Sequence, residues 1–257
     1  MSVETALRLA LVPAAVWLAS LAARRWGHAV SGYLGGMPLI GGPITYFLAL
    51  DHGAGFAARS AAITLATVAA QAAYLLAFSH LARRTRWPVS LAGGWSSFAL
   101  VAAAICSMPP PAPVGLALAA AGLAAAWLAL PRPRGSAGLP SVPRFELYLR
   151  LVAAFVLALA IVRGASTLGP VWSGVLLSMP VTGSIMPPFT LALYGPDAVA
   201  RLMRGFVVGL TGFGSFFFIV AEGAVSLGIN TAFVAAVLAA LLAAAISSRL
   251  LTIRSAP

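Results

Sequence analysis

The chain has 257 residues, of which 61% are hydrophobic and only 8% are charged. That is too little polar surface to cover a soluble globule of this size, so we exclude a water-soluble domain and expect the chain to face lipid. The net charge of +11 comes from 16 arginines and no lysine against five acids, and the positive-inside bias of membrane proteins explains it without nucleic acid.

Hydrophobic runs bounded by Arg, Pro or Gly clusters predict about nine membrane-spanning segments. Strand-like alternation is absent, and lipid does not tolerate unpaired backbone groups, so the fold class should be all-α and polytopic. The predicted spans are 5–23, 28–50, 57–80, 88–107, 113–130, 147–163, 169–193, 203–221 and 229–248. Because the connections are short, residues 1–257 should form a single membrane domain.

The first span could be mistaken for a signal peptide. No cationic segment precedes its apolar run, and Arg24 and Arg25 follow it, so we expect it to be retained. With the N-terminus outside and the C-terminus in the cytoplasm, thirteen arginines fall at inner span ends and only Arg8, Arg59 and Arg163 fall outside. This sorting supports both the orientation and the odd number of spans.

A sequence phrase occurs twice in the chain. SGYLGGMPLIG begins at Ser31 and SGVLLSMPVTG begins at Ser173, so both fit S-G-x-L-x-x-M-P-x-x-G at an offset of 142 residues. At that offset, positions 4–41 hold 12 identities in 38 ungapped positions, including Glu4 with Glu146 and Arg8 with Arg150. Apolar sequences match by chance, but Glu, Arg, Ser, Met and Pro rarely coincide, which indicates a duplication.

The duplication predicts two four-helix repeats joined by an extra helix. Repeat one covers 1–110, the linker helix 111–135 and repeat two 140–257. The unmatched fifth span turns the second repeat upside down relative to the first. Inverted repeats of this kind occur in secondary transporters, where they permit alternating access. A duplicated scaffold without transport is the alternative.

Each half has an early basic residue, then a G-x-L-x-x-x-P segment, an aromatic run and a G…R turn into the next helix. In these features it resembles the small GlpM-type bacterial inner-membrane proteins, which are about one repeat long. The resemblance implies a tandem, duplicated GlpM-like protein in the bacterial inner membrane, and it implies little about a substrate. The fusion through a fifth helix departs from that family.

The second and seventh spans should be broken near the middle of the membrane. Proline removes a helix donor and clashes with the preceding turn, and both phrases carry Gly and Pro in the same register. Broken ends expose backbone N–H and C=O groups that can hold ions, although Gly and Pro also serve close helix packing. The candidate substrate-binding residues are Ser31, Gly35, Gly36, Pro38, Gly41, Thr45, Arg59, Ser173, Pro180, Thr182, Gly183, Ser184 and Arg201.

The hydroxyl groups in this set either bind substrate or repair freed backbone groups. Arg59 lies on the outer side, where arginine is disfavoured, and its repeat mate Arg201 lies on the inner side. We expect two basic vestibules that admit an anion, because a guanidinium fork suits carboxylate or phosphate. Gating or helix-start ion pairs are expected for Glu4 with Arg8 and for Glu146 with Arg150, and the simpler interpretation is that these are i,i+4 pairs.

No hydrolase, metalloprotease or nucleotide-binding motif is present, and the acids fall at span ends, so we predict no enzymatic activity. The single cysteine, Cys106, excludes an internal disulfide and a Cys-based zinc site, and we expect neither metal nor cofactor. The leading hypothesis is a transporter or flippase for a small anionic solute or anionic lipid, surrounded by membrane lipids. The alternative is a non-catalytic membrane partner that supports envelope or polysaccharide synthesis. The oligomeric state stays open.

Overall fold

The computed structural model describes residues 27–134 and 144–253, and these form helices without any β-strand. We number the helices α1 to α9 in chain order, with α1 at residues 27–36. The others are α2 (Gly41–His52), α3 (Ala54–Ala66), α4 (Val68–Leu81), α5 (Trp87–Ser107), α6 (Ala112–Ala129), α7 (Arg144–Ser178), α8 (Val181–Ser226) and α9 (Ile229–Ile253). The predicted span 5–23, and with it Glu4 and Arg8, lies outside the described residues.

Six stretches of the described chain are long and apolar enough to cross a bilayer. They are Gly27–His52, Ala54–Leu81, Trp87–Ser107, Ala112–Ala129, Thr167–Ser226 and Ile229–Arg249. The longest has 60 residues and contains both the seventh and the eighth predicted span. Large apolar side chains such as Leu238, Leu242 and Ile246 of α9 are exposed, as lipid-facing positions require. The chain is a multi-pass helical membrane protein, as the composition predicts.

Three sharp bends each depend on a single glycine, and the one inside α7 is at Gly169, with φ +69° and ψ 175°. Gly53 separates α2 from α3 with φ +86° and ψ 165°, and Gly195 bends α8 with φ +78° and ψ −177°. This backbone region is nearly confined to glycine, because it is strained for a residue with a Cβ. Pro196 follows the bend at Gly195, and proline fits the first position of a helix. One residue therefore ends one helical segment and starts the next.

Glycines also let helix backbones touch. A Cβ at Gly32 of α1 would overlap the carbonyl oxygen of Leu202 in α8. A Cβ at Gly174 of α7 would lie 2.5 Å from the carbonyl oxygen of Ser60 in α3. Such contacts between small residues hold membrane helices together, because lipid supplies no hydrophobic force between them. They place α1 against α8 and the end of α7 against α3.

Arginines fasten the C-terminal end of α6 to its neighbours. Arg204 of α8 donates a hydrogen bond from Nη2 to the Leu130 carbonyl oxygen at 3.0 Å and lies 4.7 Å above the Trp127 ring. Arg83, just after α4, donates to the Arg132 carbonyl oxygen at 3.1 Å. Both carbonyls lie just after Ala129, the last residue of α6, where no helical N–H reaches them, and the negative end of the helix dipole favours a cation there. α6 is thereby tied to α4 and α8 at one end of the bundle.

Candidate functional site

A tight turn interrupts the helix at each of the two Gly/Pro phrases. Residues 37–40 separate α1 from α2 and form what we call the first break, and residues 179–180 separate α7 from α8 and form the second break. Pro180 has φ −76° and ψ 62°, the values of an inverse γ-turn. Proline suits this position because its ring holds φ near −65° and it has no N–H to leave unpaired.

The hydrogen bonds of the two breaks correspond one to one at the offset of 142 residues. The Leu39 N–H donates to the Met37 carbonyl oxygen at 2.8 Å, and the Val181 N–H donates to that of Met179 at 2.7 Å. The flanking bonds match as well. Before the breaks, the Met37 N–H donates to the Leu34 carbonyl oxygen and the Met179 N–H to that of Leu176. After the breaks, the Gly42 N–H donates to the Pro38 carbonyl oxygen and the Ser184 N–H to that of Pro180. The same local sequence makes the same turn in both places.

The two breaks lie against each other. The position of a Cβ at Gly35, before the first break, is 3.0 Å from Thr182 Cγ2, after the second break. The position of a Cβ at Gly41, after the first break, is 3.5 Å from the carbonyl oxygen of Leu177, before the second break. The two interrupted helices therefore run antiparallel where they meet.

A cavity of about 70 Å³ lies between the breaks. Residues of both breaks and of their flanking helical turns line it, together with α4 and the second half of α8. The polar side chains in its wall are those of Ser31, Gln71, Tyr74 and Thr182. Within the described part of the chain, no charged side chain belongs to the wall. The cavity thus offers hydroxyl, amide and backbone groups in an otherwise apolar lining.

The sequence analysis missed two of the lining residues, Gln71 and Tyr74 of α4. Gln71 Nε2 donates to the Ser178 carbonyl oxygen at 2.6 Å, and Tyr74 Oη donates to that of Gly183 at 2.7 Å. In a regular helix the Gly183 carbonyl would accept from residue 187, but Pro187 has no N–H. Tyr74 supplies the missing donor. An amide in an otherwise apolar span was the available signal for Gln71.

The cavity collects part of the predicted substrate-binding set: Ser31, Gly35, Gly36, Gly41, Pro180, Thr182 and Gly183. Pro38, Thr45, Ser173 and Ser184 are not in its wall. Thr45 Oγ1 donates to the Gly41 carbonyl oxygen and Ser184 Oγ to that of Pro180, each at 2.7 Å. These two hydroxyls bond their own helices at i−4, which is the backbone-repair role.

The structure does not bring the predicted arginines to the cavity. Arg59 is exposed on α3 and Arg201 is half-buried on α8, and neither belongs to the cavity wall. Glu146 and Arg150 belong to α7, but their side chains lie outside what the structure describes. The basic vestibules and the helix-start ion pairs therefore stay predictions.

No group of three or more His, Cys, Asp or Glu residues that could hold a metal ion occurs among residues 27–134 and 144–253. The Cys106 thiol is a free, half-buried group on α5. What the cavity can do chemically is to bind a small polar group, since its wall combines neutral hydrogen-bonding side chains with the ends of broken helices.

Comparison with protein-family models, curated proteins and solved structures found no match. The resemblance to GlpM-type proteins therefore stays a prediction that depends on short motifs. The function has to be argued from the two breaks and the cavity between them.

Proposed function

We propose that the protein is a small membrane transporter that works by alternating access between two inverted repeats, with the cavity between the breaks as its substrate site. The observation that carries this proposal is the pairing of two similarly built helix breaks across one cavity. In secondary transporters, substrates bind at such interruptions, because irregular backbone at membrane depth offers hydrogen-bonding groups.

The backbone supports a repeat beyond the sequence phrase. Four of the five glycines with positive φ in the described residues form pairs at the offset of 142: Gly27 (+89°) with Gly169 (+69°), and Gly53 (+86°) with Gly195 (+78°). The fifth, Gly228, has no partner, because residue 86 is an arginine. α5 begins at Trp87 and α9 at Ile229, again 142 residues apart. In this proposal, α6 is the linker helix between the two repeats. With α6 and the span 5–23, this scheme has nine spans.

The contacts support an inverted relation between the repeats. At the offset of 142, position 32 corresponds to 174 and position 202 corresponds to 60. The close contact of Gly32 with Leu202 therefore has a counterpart in the contact of Gly174 with Ser60. For the contact of Gly35 with Thr182, the corresponding positions are 177 and 40. The observed contact, of Leu177 with Gly41, differs from this by one residue. A two-fold axis through the cavity, parallel to the membrane, would relate both pairs.

In the proposed cycle, one half of the bundle moves relative to the other, and the cavity opens first to one side and then to the other. In this proposal, the two end states differ by a free energy that is small enough for a bound solute to shift the equilibrium between them. In this proposal, the membrane is the bacterial inner membrane, the C-terminus is cytoplasmic, and Arg83, Arg132 and Arg204 lie on the cytoplasmic side.

The cavity volume of about 70 Å³ leaves room for roughly two water-sized groups, so the structure favours a small solute over a whole lipid headgroup. The first turns of α2 and α8 border the cavity through Gly41, Thr182 and Gly183. Helix N-termini favour negative charge, and they support an anionic solute such as a small carboxylate. Arg59 and Arg201 would act at the entrances and not in the cavity.

The test is the melting temperature of the purified protein with small carboxylates, inorganic phosphate or anionic phospholipid. A solute that binds only the folded protein raises the melting temperature. At a hundredfold excess over Kd, it adds about 2.7 kcal/mol to the free energy of unfolding. Thr182→Val, which removes a hydroxyl from the cavity wall, should abolish the shift. Thr211→Val is the matched control, since that hydroxyl bonds the Val208 carbonyl in α8 away from the cavity.

Uptake into liposomes, measured for the solute that stabilises the protein, separates transport from binding. Arg59→Gln and Arg201→Gln should slow this uptake and leave the melting shift in place, because the arginines lie outside the cavity. Flat melting curves with every compound would overturn the transporter proposal and favour the non-catalytic membrane partner.

A further inference from the structure

The two breaks have the same backbone hydrogen bonds, but different side chains hold them in place. At the offset of 142, Gln71 and Tyr74 of α4 correspond to Phe213 and Phe216 of α8. α4 lies beside the second break, where both of these α4 side chains donate hydrogen bonds. The second half of α8 lies beside the first break, where Phe216 contacts Gly42 and Phe213 lines the cavity. The second break is thus held by polar side chains and the first by aromatic rings.

At the second break the contacts are directional. Gln71 donates to the Ser178 carbonyl oxygen just before the break, and Tyr74 donates to the Gly183 carbonyl oxygen just after it. The side chains of Gln71 and Tyr74 are buried, with exposures of 7% and 0%. Water cannot easily replace either bond, and a freed carbonyl at membrane depth is costly. α4 therefore clamps both sides of the second break.

On the α2 side of the first break, the contacts with α8 are apolar and carry no direction. The position of a Cβ at Gly42 lies 3.3 Å from the ring of Phe216, and that at Gly41 lies 3.1 Å from the ring of Phe217. The Gly41 carbonyl is satisfied within its own helix, by Thr45 Oγ1. Before the break, α1 packs backbone to backbone on α8, where the position of a Cβ at Gly36 lies 2.6 Å from the carbonyl oxygen of Phe206. After the break, none of these contacts is a hydrogen bond to α8, so its α2 side lacks the directional contacts that hold the second break.

We propose that Gln71 and Tyr74 are positioning residues that fix the second break to α4, so that the first break is the one that moves when the cavity opens. The proposal deepens the transporter proposal and rests on it for the meaning of this movement. The asymmetry would make one of the two access states open through residues 37–40, on the α1–α2 side, while residues 179–180 act as the fixed wall.

The test is hydrogen–deuterium exchange of the purified full chain in detergent, without solute, analysed over residues 33–42 and 175–184. These segments are equivalent at the offset of 142 and contain one proline each. Protection factors should be roughly tenfold or more higher in 175–184, because opening there must break two buried hydrogen bonds. Equal protection, or better protection of 33–42, would overturn the proposal.

Substitutions at Gln71 and Tyr74 test whether these side chains cause the difference in protection. Gln71→Leu combined with Tyr74→Phe should lower the protection of 175–184 to that of 33–42. Tyr46→Phe is the matched control: it removes a tyrosine hydroxyl that bonds Asn230 Oδ1 at 2.9 Å, and it should leave 175–184 unchanged. If the double variant does not fold, Tyr74→Phe alone keeps the buried ring and should give an intermediate loss of protection.

Unchanged protection of 175–184 in a folded variant would refute the clamp. The exchange experiment contains no solute, so its result does not depend on whether a solute is found. Melting curves that stay flat with every compound would remove the transporter proposal, whereas an equal exchange of the two segments would remove only the assignment of the moving break.

Discussion

Replacement of Gly32 by alanine should separate α1 from α8. The added Cβ would overlap the carbonyl oxygen of Leu202, a backbone atom that cannot rotate aside. Gly174→Ala should do the same to α7 and α3, where the Cβ would lie 2.5 Å from the Ser60 oxygen and ordinary contact begins near 3.4 Å. In both cases the helices must move apart by close to 1 Å or more, and neighbouring contacts are lost with them.

The magnitude follows from two opposing effects. Overpacking of this kind costs about 1–3 kcal/mol, and the backbone position of the obstacle favours the upper end. Alanine recovers about 1 kcal/mol of helix propensity relative to glycine. A net loss of about 2 kcal/mol in the free energy of unfolding should lower the melting temperature by about 4–8 °C in a chain of this size.

The assay is thermal denaturation of the purified variants, with Gly214→Ala as the control. A Cβ at Gly214 would meet only Leu65 Cδ1, at 3.7 Å, so this variant should melt at the original temperature or slightly above it. If Gly32→Ala melts like Gly214→Ala, the contact of α1 with α8 is wrong. If only one of Gly32→Ala and Gly174→Ala is destabilised, the proposed two-fold relation loses its support.

Two further predictions concern stability. Arg204→Gln removes the bond to the Leu130 carbonyl and the contact with the Trp127 ring, so it should lower the free energy of unfolding by about 1–2 kcal/mol, whereas Arg86→Gln, at an exposed position, should melt normally. Gly195→Ala should cost about 1–3 kcal/mol through backbone strain alone, because nothing lies within 4 Å of the added Cβ; a normal melting temperature would contradict the bend.

Local patterns predicted the helices well where an apolar run is bounded by Pro or Gly. The spans predicted at 88–107, 113–130 and 229–248 correspond to α5, α6 and α9. The interruptions at Pro38 and Pro180 were also predicted, since a missing N–H acts on the chain's own preceding turn. The bend at Gly195 falls between the predicted seventh and eighth spans, and its non-helical backbone divides α8 into two helical segments there, as those two spans require.

Side-chain roles across long sequence distances were not predicted. Gln71 and Tyr74 bond carbonyls 107 and 109 residues away, and no local pattern connects these positions. Arg59 and Arg201 were expected to form basic vestibules for an anion, because Arg59 falls on the outer side, where arginine is disfavoured, and Arg201 is its repeat mate. Both lie outside the cavity wall, and the vestibules stay a prediction. Thr45 and Ser184 are satisfied by their own helices, an alternative that the sequence could not decide.

The sequence alone determined that this protein is helical, faces lipid and interrupts two helices in the same register. These properties follow from composition and from proline and glycine chemistry, which act within a few residues. Only the tertiary structure decided that the two interruptions meet around one cavity, and that one is clamped by polar groups while the other is packed by rings. Those features depend on which helices lie side by side, and that is set by the close glycine contacts between distant parts of the chain.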